Sequence, residues 1–474
     1  MANLYDKASI ILTANAYSSS TLFSIKPTDN TGNFVFARAS SGSRINSNNL
    51  IEAVGNNVPR LQYSSTGSSC PQFLFEPTRT NLIRFSETIS IAGGFNWASD
   101  GGAQTTSSWS TAPDGMTTSN RLNFTASSGG NIYQGALATL APRIQPTSSY
   151  VLSLFVKPDP LNVSGANKFR FFYSNLLNPI AGVVFDVNNK TVATTTGGPA
   201  NAITGSVNSF IEPYPDGWYR IGCNFALSSS MQNQSPEYIG IDTQLSTTGK
   251  IGSILVWGVQ LELISSGVVT SIPYRTSYIK TTNSTVTRVI DDSGVGNAST
   301  LTNHSSSIGQ SEGTVYYEFT PFQTMSGSNT LGRATFSRNL VSLTNNGAQI
   351  NGSLFGFLSL GTDRVTFDLQ SGSGAALFSL SSPTSVVPGT SYKIACAYSS
   401  SNSKLYINGT QVASSVTTWP LNGITGSQGP MNRIWLTEGM EGNQYWSGPA
   451  QKEFKTLAIY KTRLTDSELI ALTS

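Results

Sequence analysis

Short apolar and aromatic runs, broken every few residues by Gly, Pro, Asn and Ser, recur along most of this chain. In the middle they read YVLSLFVK (150–157), FRFFYS (169–174), GVVFDV (182–187), WYRIGCNFAL (218–227), YIGIDT (238–243) and IGSILVWGVQLEL (251–263). LSLFV and VVFDV are nearly continuous apolar runs, the mark of strands buried inside a sandwich. WYRIGCNF alternates in part, as a strand with one wet face does. A second series follows: TVYYEFT (314–320), LFGFLSL (354–360), RVTFDL (364–369), YKIACAY (392–398), KLYIN (404–408), RIWLTE (433–438) and FKTLAIY (454–460). Many short strands with repeated turn signals predict sandwiches or jelly rolls. Asn408-Gly409 predicts a tight hairpin. The one convincing helix is LTDSELIALT (464–473), with Thr465 as N-cap and Glu468 completing a capping box.

The first 85 residues differ. ASIILTANAY fits a strand or a short helix. FVFARASSGSRINSNNLIEAVG (34–55) and VPRLQY (58–63) read as short strands. CPQFLFEPTRTNLIRFSE (70–87), split by Pro71 and Pro77, reads as an extended arm packing against something else. The expected fold is therefore all-β and multi-domain. A small β-rich docking or arm region (1–85) precedes a jelly roll (86–290), a polar linker (291–313) and a second sandwich (314–474).

Composition narrows the function. Charged residues make up 11% of the chain and net charge is +3, against about 25% charged in average proteins. The surface is thus mostly hydroxyls and amides. No Lys/Arg run could track phosphates, so no nucleic-acid partner is expected. Cys70, Cys223 and Cys396 are far apart and form no CxxC pair, which predicts buried thiols and no zinc site. MANLYDKASI lacks a signal-peptide layout, and no apolar run is long enough to cross a bilayer. Synthesis in a reducing cytoplasm, without membrane insertion, is the expectation.

Three segments carry a resemblance. Ala37-Arg38-Ala39-Ser40, Asn49-Leu50-Ile51-Glu52 and Glu76-Pro77-Thr78-Arg79-Thr80-Asn81-Leu82 resemble the N-terminal region of many bacteriophage tail and fibre proteins. There Thr-Arg-Ala-Ser, Gly-Leu-Ile-Glu and Glu-x-x-Arg-Thr-Asn-Leu stretches recur; the first two depart here by one residue each. PDGWYRIGCNF, WGVQLEL and IPYRTSYIKTTNSTVTR resemble the jelly-roll, carbohydrate-binding-like module that often follows. YKIACAYSSSNSKLYINGTQV and KTLAIYKTRLTDSELIAL are similar to concanavalin A-like (laminin-G-like) sandwiches. The order most resembles structural proteins of tailed phages infecting Bacteroides-type gut bacteria. It implies a virion protein made in the bacterial cytoplasm, a head or tail fibre or appendage. Its implied partners are capsid, portal or tail proteins, with host-surface or mucus glycans bound outside. A homo-oligomer, a trimer by that resemblance, is implied as well. The alternatives are a glycan-degrading enzyme and a decoration protein without glycan binding.

Catalytic groups are scarce. The single histidine, His304, sits in a polar NHSSS stretch without a GxSxG elbow and reads as an exposed loop residue. Carboxylates that could pair for glycan hydrolysis are Asp242, Glu262, Asp363, Asp368, Glu438 and Glu441. Some concanavalin A-like glycosidases carry Glu-x-Asp-x-x-Glu on one strand. Here WLTEGMEGN has Glu438 and Glu441 with no Asp between them. Asp291-Asp292 reads as a solvated linker pair. No catalytic residue, metal or cofactor is expected. Trp218, Trp257 and Trp435 lie in strand signatures and read as core. Trp97, Trp109, Trp419, Tyr445 and Trp446 lie in Ser-, Gly- or Pro-rich segments and are the glycan-binding candidates, because sugar rings stack on exposed aromatic faces.

Overall fold

The computed structural model describes residues 3–64, 70–92, 97–135, 144–175, 178–197, 202–229, 237–265, 275–291, 304–322, 338–345, 349–358, 362–371, 375–419, 430–436, 439–441, 444–446 and 452–474. Two antiparallel sandwiches account for most of them, and both series of apolar runs form strands.

The middle sandwich packs an eight-stranded sheet on a six-stranded one. Strands Gly252–Ser265 and Ser149–Pro158 form the centre of the larger sheet. Its inner face meets Phe169, Phe171, Val183, Phe185, Ile239 and Ile241 of the smaller sheet in one core. Its outer face is also covered in part, by Ile51, Ala112 and Tyr278 around Phe155, Trp218, Leu255 and Trp257. Burial on both faces explains why Ser149–Pro158 is apolar almost throughout, with eight consecutive buried residues.

The second sandwich is not built by the C-terminal half alone. Its ten-stranded sheet runs from Thr410–Ser415 through Tyr392–Ser399, Glu312–Pro321 and Lys452–Tyr460 to Ala8–Ser18 and Thr21–Lys26. Ile10 pairs with Ile459, and Leu12 with Leu457. Farther along, Gln72–Phe75 pairs with the other end of Lys452–Tyr460. The 1–85 region is therefore no unit of its own: strands from residues 8–75 complete the C-terminal sandwich. The middle sandwich is an insertion within it, and the chain enters and leaves that insertion side by side. Asp291 N–H donates to the Glu76 carbonyl at 3.0 Å.

That crossing point holds a buried charge cluster. Asp291 accepts from Arg38 Nη1 at 2.8 Å and from Arg60. Glu76 accepts from Arg60 Nη1 at 2.6 Å and pairs with Arg288 at 2.9 Å. All five side chains are at most 1% exposed. Asn81 is sealed into the same region, with Nδ2 donating to the Val259 and Ile279 carbonyls and Oδ1 accepting from the N–H of Ile83 and Leu261. Arg38, Ser40 and Glu76 of the phage-like motifs thus act as clasps between the two sandwiches in this chain, Ser40 by accepting the Val289 N–H at 2.9 Å, while Asn81 fastens the edge of the middle sandwich itself.

Three polar-segment readings change. Asp291 is fully buried, not solvated. His304 is 4% exposed and stacks on Phe34 with ring centroids 5.9 Å apart, and burial pulls its imidazole down to about 4. Ile308, also inside the expected linker, belongs to the second core; residues 292–303 lie outside the described ones. Cys223 and Cys396 are buried, but Cys70 is exposed. The Asn408-Gly409 hairpin forms with φ of 46° and 79°, the two left-handed residues that a type I′ turn requires. The capping box at Thr465 and Glu468 forms as well, and the helix Asp466–Thr473 covers the back of the large sheet through Leu469.

Candidate functional site

The outer face of the middle sandwich presents a polar platform. On strand Asn120–Phe124, Leu122 and Phe124 point into the core, so Arg121 and Asn123 face outward. Across the register, Gln104 pairs with Asn123 and Asn123 with Ser253. One row along, Thr106 pairs with Arg121 and Arg121 with Leu255. Asp159 anchors the arrangement by accepting from Arg121 Nε at 2.6 Å and from Ser253 Oγ. Burial raises the Asp159 carboxyl, but the Ser253, Leu161 N–H and Arg121 donors outweigh it and hold the group below the usual carboxylate range. Arg121 Nη2 also donates to Ser253 Oγ at 3.1 Å, which fixes the guanidinium.

Trp109 joins this platform. Its loop is pinned by hydrogen bonds between Ser110 and Ser119, and its ring lies 5.1 Å from the Arg121 guanidinium carbon. The ring is 40% exposed. Beside Arg121 opens a cleft of about 550 Å³, lined by Asn123, Asn162, Lys250 and Ser253, with Leu161 and Val163 at its rim. Leu161, Val163 and Ile251 are among the exposed large apolar side chains. An aromatic face, a fixed guanidinium, a carboxamide and an apolar rim suit a ring with hydroxyls on its edge and C–H groups on its face.

A second cleft, of about 320 Å³, lies at the seam between the sandwiches, with Arg44, Gln62, Glu212, Tyr214, Arg275 and Glu453 in its wall. Arg275 pairs with Glu212. Glu453 is half-buried and accepts from Gln72 Nε2 at 3.1 Å. Burial, reinforced by the charge of Glu76 and opposed by Arg275, pushes its carboxyl up to about 8. The folded state therefore favours protonated Glu453. Its stabilising contribution is complete below about 4.5 and is lost as pH rises through about 8. Glu453→Gln is expected to remove that loss, so melting curves of wild type and variant should diverge between those pH values, with the wild type weakening on the alkaline side. Parallel curves would refute the assignment.

The five aromatic candidates separate. Trp109 alone of the three with described side chains is exposed. Trp97 is 5% exposed, because it lies on strand Trp97–Asp100 and points into the core. Trp419 is 3% exposed, packed 5.9 Å from Phe378 and held by Ser400. Both are therefore corrected to core. Tyr445 and Trp446 lie on a short strand, Gln444–Trp446, but their side chains fall outside the described residues. Trp218 and Trp257 are 1% exposed core residues, as expected; the Trp435 side chain is not described. Arg121, Asn123 and Ser253 went unnoticed in the sequence, although N-R-L-N-F carries the two-residue alternation that would have placed them.

Among the carboxylates, Asp242 is buried against Arg170. Glu262 is buried and accepts from Thr276 and Gln260. Asp363 is buried and Asp368 half-buried. The side chains of Glu438 and Glu441 lie outside the described residues. Among the described residues no group of three His, Cys, Asp or Glu could hold a metal ion, and no helix is long and apolar enough to cross a membrane.

Comparison with known proteins agrees with this architecture at the C-terminal end. Residues 293–470 match the family model Laminin_G_3, the concanavalin A-like lectin/glucanases superfamily. That part of the chain is thus a concanavalin A-like, lectin-like β-sandwich. Among solved structures, the CBM40 of the Ruminococcus gnavus IT-sialidase is 18% identical, with 39% of this chain and 93% of that one covered at a TM-score of 0.30. The same module bound to alpha2,3 sialyllactose is 19% identical over 35% of this chain and 84% of that one, at a TM-score of 0.28. Leech intramolecular trans-sialidase is 16% identical over 35% of this chain and 23% of that one, at a TM-score of 0.27. No curated protein matches the chain.

Proposed function

We propose that this protein is a non-enzymatic structural protein of a tailed-phage particle, part of a head or tail fibre or appendage, that adheres to host-surface or mucus glycans. The unit built from residues 8–75 and the C-terminal sandwich docks to capsid, portal or tail proteins. The inserted middle sandwich presents the glycan-binding face. Several copies in a homo-oligomer, a trimer in this reading, turn weak single-site binding into avidity. The virion role is supported by the phage-like stretches around Arg38, Leu50 and Arg79. The observation that carries the adhesive role is the exposed Trp109 ring held on Arg121 beside an open polar cleft.

Trp109→Ala removes the stacking surface while leaving Leu122 and the core beneath it intact. A glycan array read with wild type and variant should show bound glycans whose signal drops by roughly tenfold in the variant, the equivalent of about 1.4 kcal/mol. No sugar should be released during incubation. An unchanged array pattern in the variant removes the site from this reading. A map of intact particles from which the protein is absent removes the virion role.

A further inference from the structure

We propose that the Arg121–Trp109 face takes an anionic saccharide, a sugar bearing a carboxylate or sulfate group; this rests on the glycan-binding reading of the same face. The cleft is lined by Arg121, Lys250 and the Asn123 carboxamide and by no carboxylate. Arg121 uses Nε on Asp159 and Nη2 on Ser253, which leaves Nη1 for a ligand. The Asn123 carboxamide lines the cleft, and no hydrogen bond from it is made among the described residues. Lys250 Nζ rests on the Gln244 and Ser246 carbonyls, so its charge meets no bonded carboxylate. The neighbouring carboxylate and the Asn162 carboxamide oxygen, by contrast, are occupied. Asp159 takes Arg121 and Ser253, and Asn162 Oδ1 takes the Ser253 N–H at 3.3 Å.

Charge points the same way. Arg121 is matched by Asp159, and Asp242, which senses Lys250, is already held by Arg170. Lys157 pairs in register with Leu255, the neighbour of Arg121, so it lies two strands, about 10 Å, away. That is within one screening length in ordinary salt. Val156 beside it belongs to the core, which turns Lys157 outward. Lys157 and Lys250 therefore leave the face with an excess of positive charge, in a chain with few charges of either sign. Asp114, the carboxylate of the Trp109 loop, lines a different cleft with Glu87 and Lys280. An oxyanion on the sugar would complete the donor set, while Leu161 and Val163 meet its C–H face.

The test uses the full chain and four polymers: hyaluronan (carboxylate only), dextran sulfate (sulfate only), chondroitin sulfate (both) and dextran (neutral). Binding to at least one charged polymer should exceed binding to dextran by about tenfold or more and weaken severalfold between roughly 0.05 and 0.3 M salt. Hyaluronan against dextran sulfate tells which anion is read. Arg121→Gln with Lys250→Gln should abolish the preference. Arg121→Lys, which keeps the charge, should retain the salt dependence and guards against misreading a folding defect. Lys393→Gln, on the other sandwich, should change nothing. Equal, salt-insensitive binding to dextran that Trp109→Ala removes would overturn the anionic class and leave the glycan face standing. Binding to no glycan here or on the array would overturn both. Charged-polymer binding undiminished in the double variant would also overturn the assignment.

Discussion

Residues 304–474 produced without residues 1–75 are expected to be unfolded or aggregated, although the recognisable lectin-like family match lies almost wholly within them. Strand Ala8–Ser18 is an interior strand of the large sheet, hydrogen-bonded to Lys452–Tyr460 on one side and Thr21–Lys26 on the other. The second core contains Ile10, Leu12, Ala14, Leu22, Phe34, Phe36, Leu61, Phe73 and Phe75. Burial of such side chains contributes roughly 1.5–3 kcal/mol each before chain entropy, against a net domain stability of about 5–15 kcal/mol. Their removal also bares the edge of Lys452–Tyr460, an unpaired template for aggregation. A spliced chain in which residue 76 is joined through a short linker to residue 290, omitting the middle sandwich, should by contrast fold, because Glu76 and Asp291 already touch. Circular dichroism and size exclusion of both forms decide the matter. A soluble, cooperatively melting 304–474 fragment would show that the N-terminal strands are an accessory.

The two sandwiches were legible in the sequence because their evidence is local. Apolar runs, turn residues, the Asn408-Gly409 dipeptide and the Thr465/Glu468 spacing each act over a few residues. What stayed hidden depends on partners far along the chain. Asp291 sits in a Ser- and Gly-rich stretch that composition reads as solvated, yet its partners Arg38 and Arg60 lie 253 and 231 positions away. His304 is buried by Phe34 for the same reason. Trp97 and Trp419 lie in Ser-, Gly- or Pro-rich segments, but strand pairing and core packing turn them inward. Trp109 is exposed, while the platform beneath it needs the pairing of three strands to become visible. Arg38 and Glu76, from the stretches with the phage-like resemblance, face the chain's own crossing point, which ties the insertion to its host sandwich.

Asp291→Ala is expected to destabilise the junction by about 3–5 kcal/mol, because it leaves Arg38 buried without a carboxylate and Arg60 sharing Glu76 with Arg288. Neither guanidinium can relax to water: both are fully buried, and Arg38 is further fixed by the Ser40 and Gly55 carbonyls. Asp291→Asn should weaken it less but with the same sign, since a carboxamide preserves shape without the charge. Pairing Asp291→Ala with Arg38→Met should cost less than the sum of the single changes, because the second removes the orphaned cation. Urea unfolding followed by Trp fluorescence, with proteolysis at the junction, reads the effect. Acid should act on the same cluster. Burial raises the Glu76 carboxyl, but Arg288 and Arg60 outweigh it and hold it near 2. Its contribution is thus complete above about 4.5 and is lost as pH falls toward 2. Full-strength stability of Asp291→Ala at neutral pH would mean that the strand pairing of Gln72–Phe75 and Arg79–Asn81, and not the charge cluster, holds the inserted sandwich to its host.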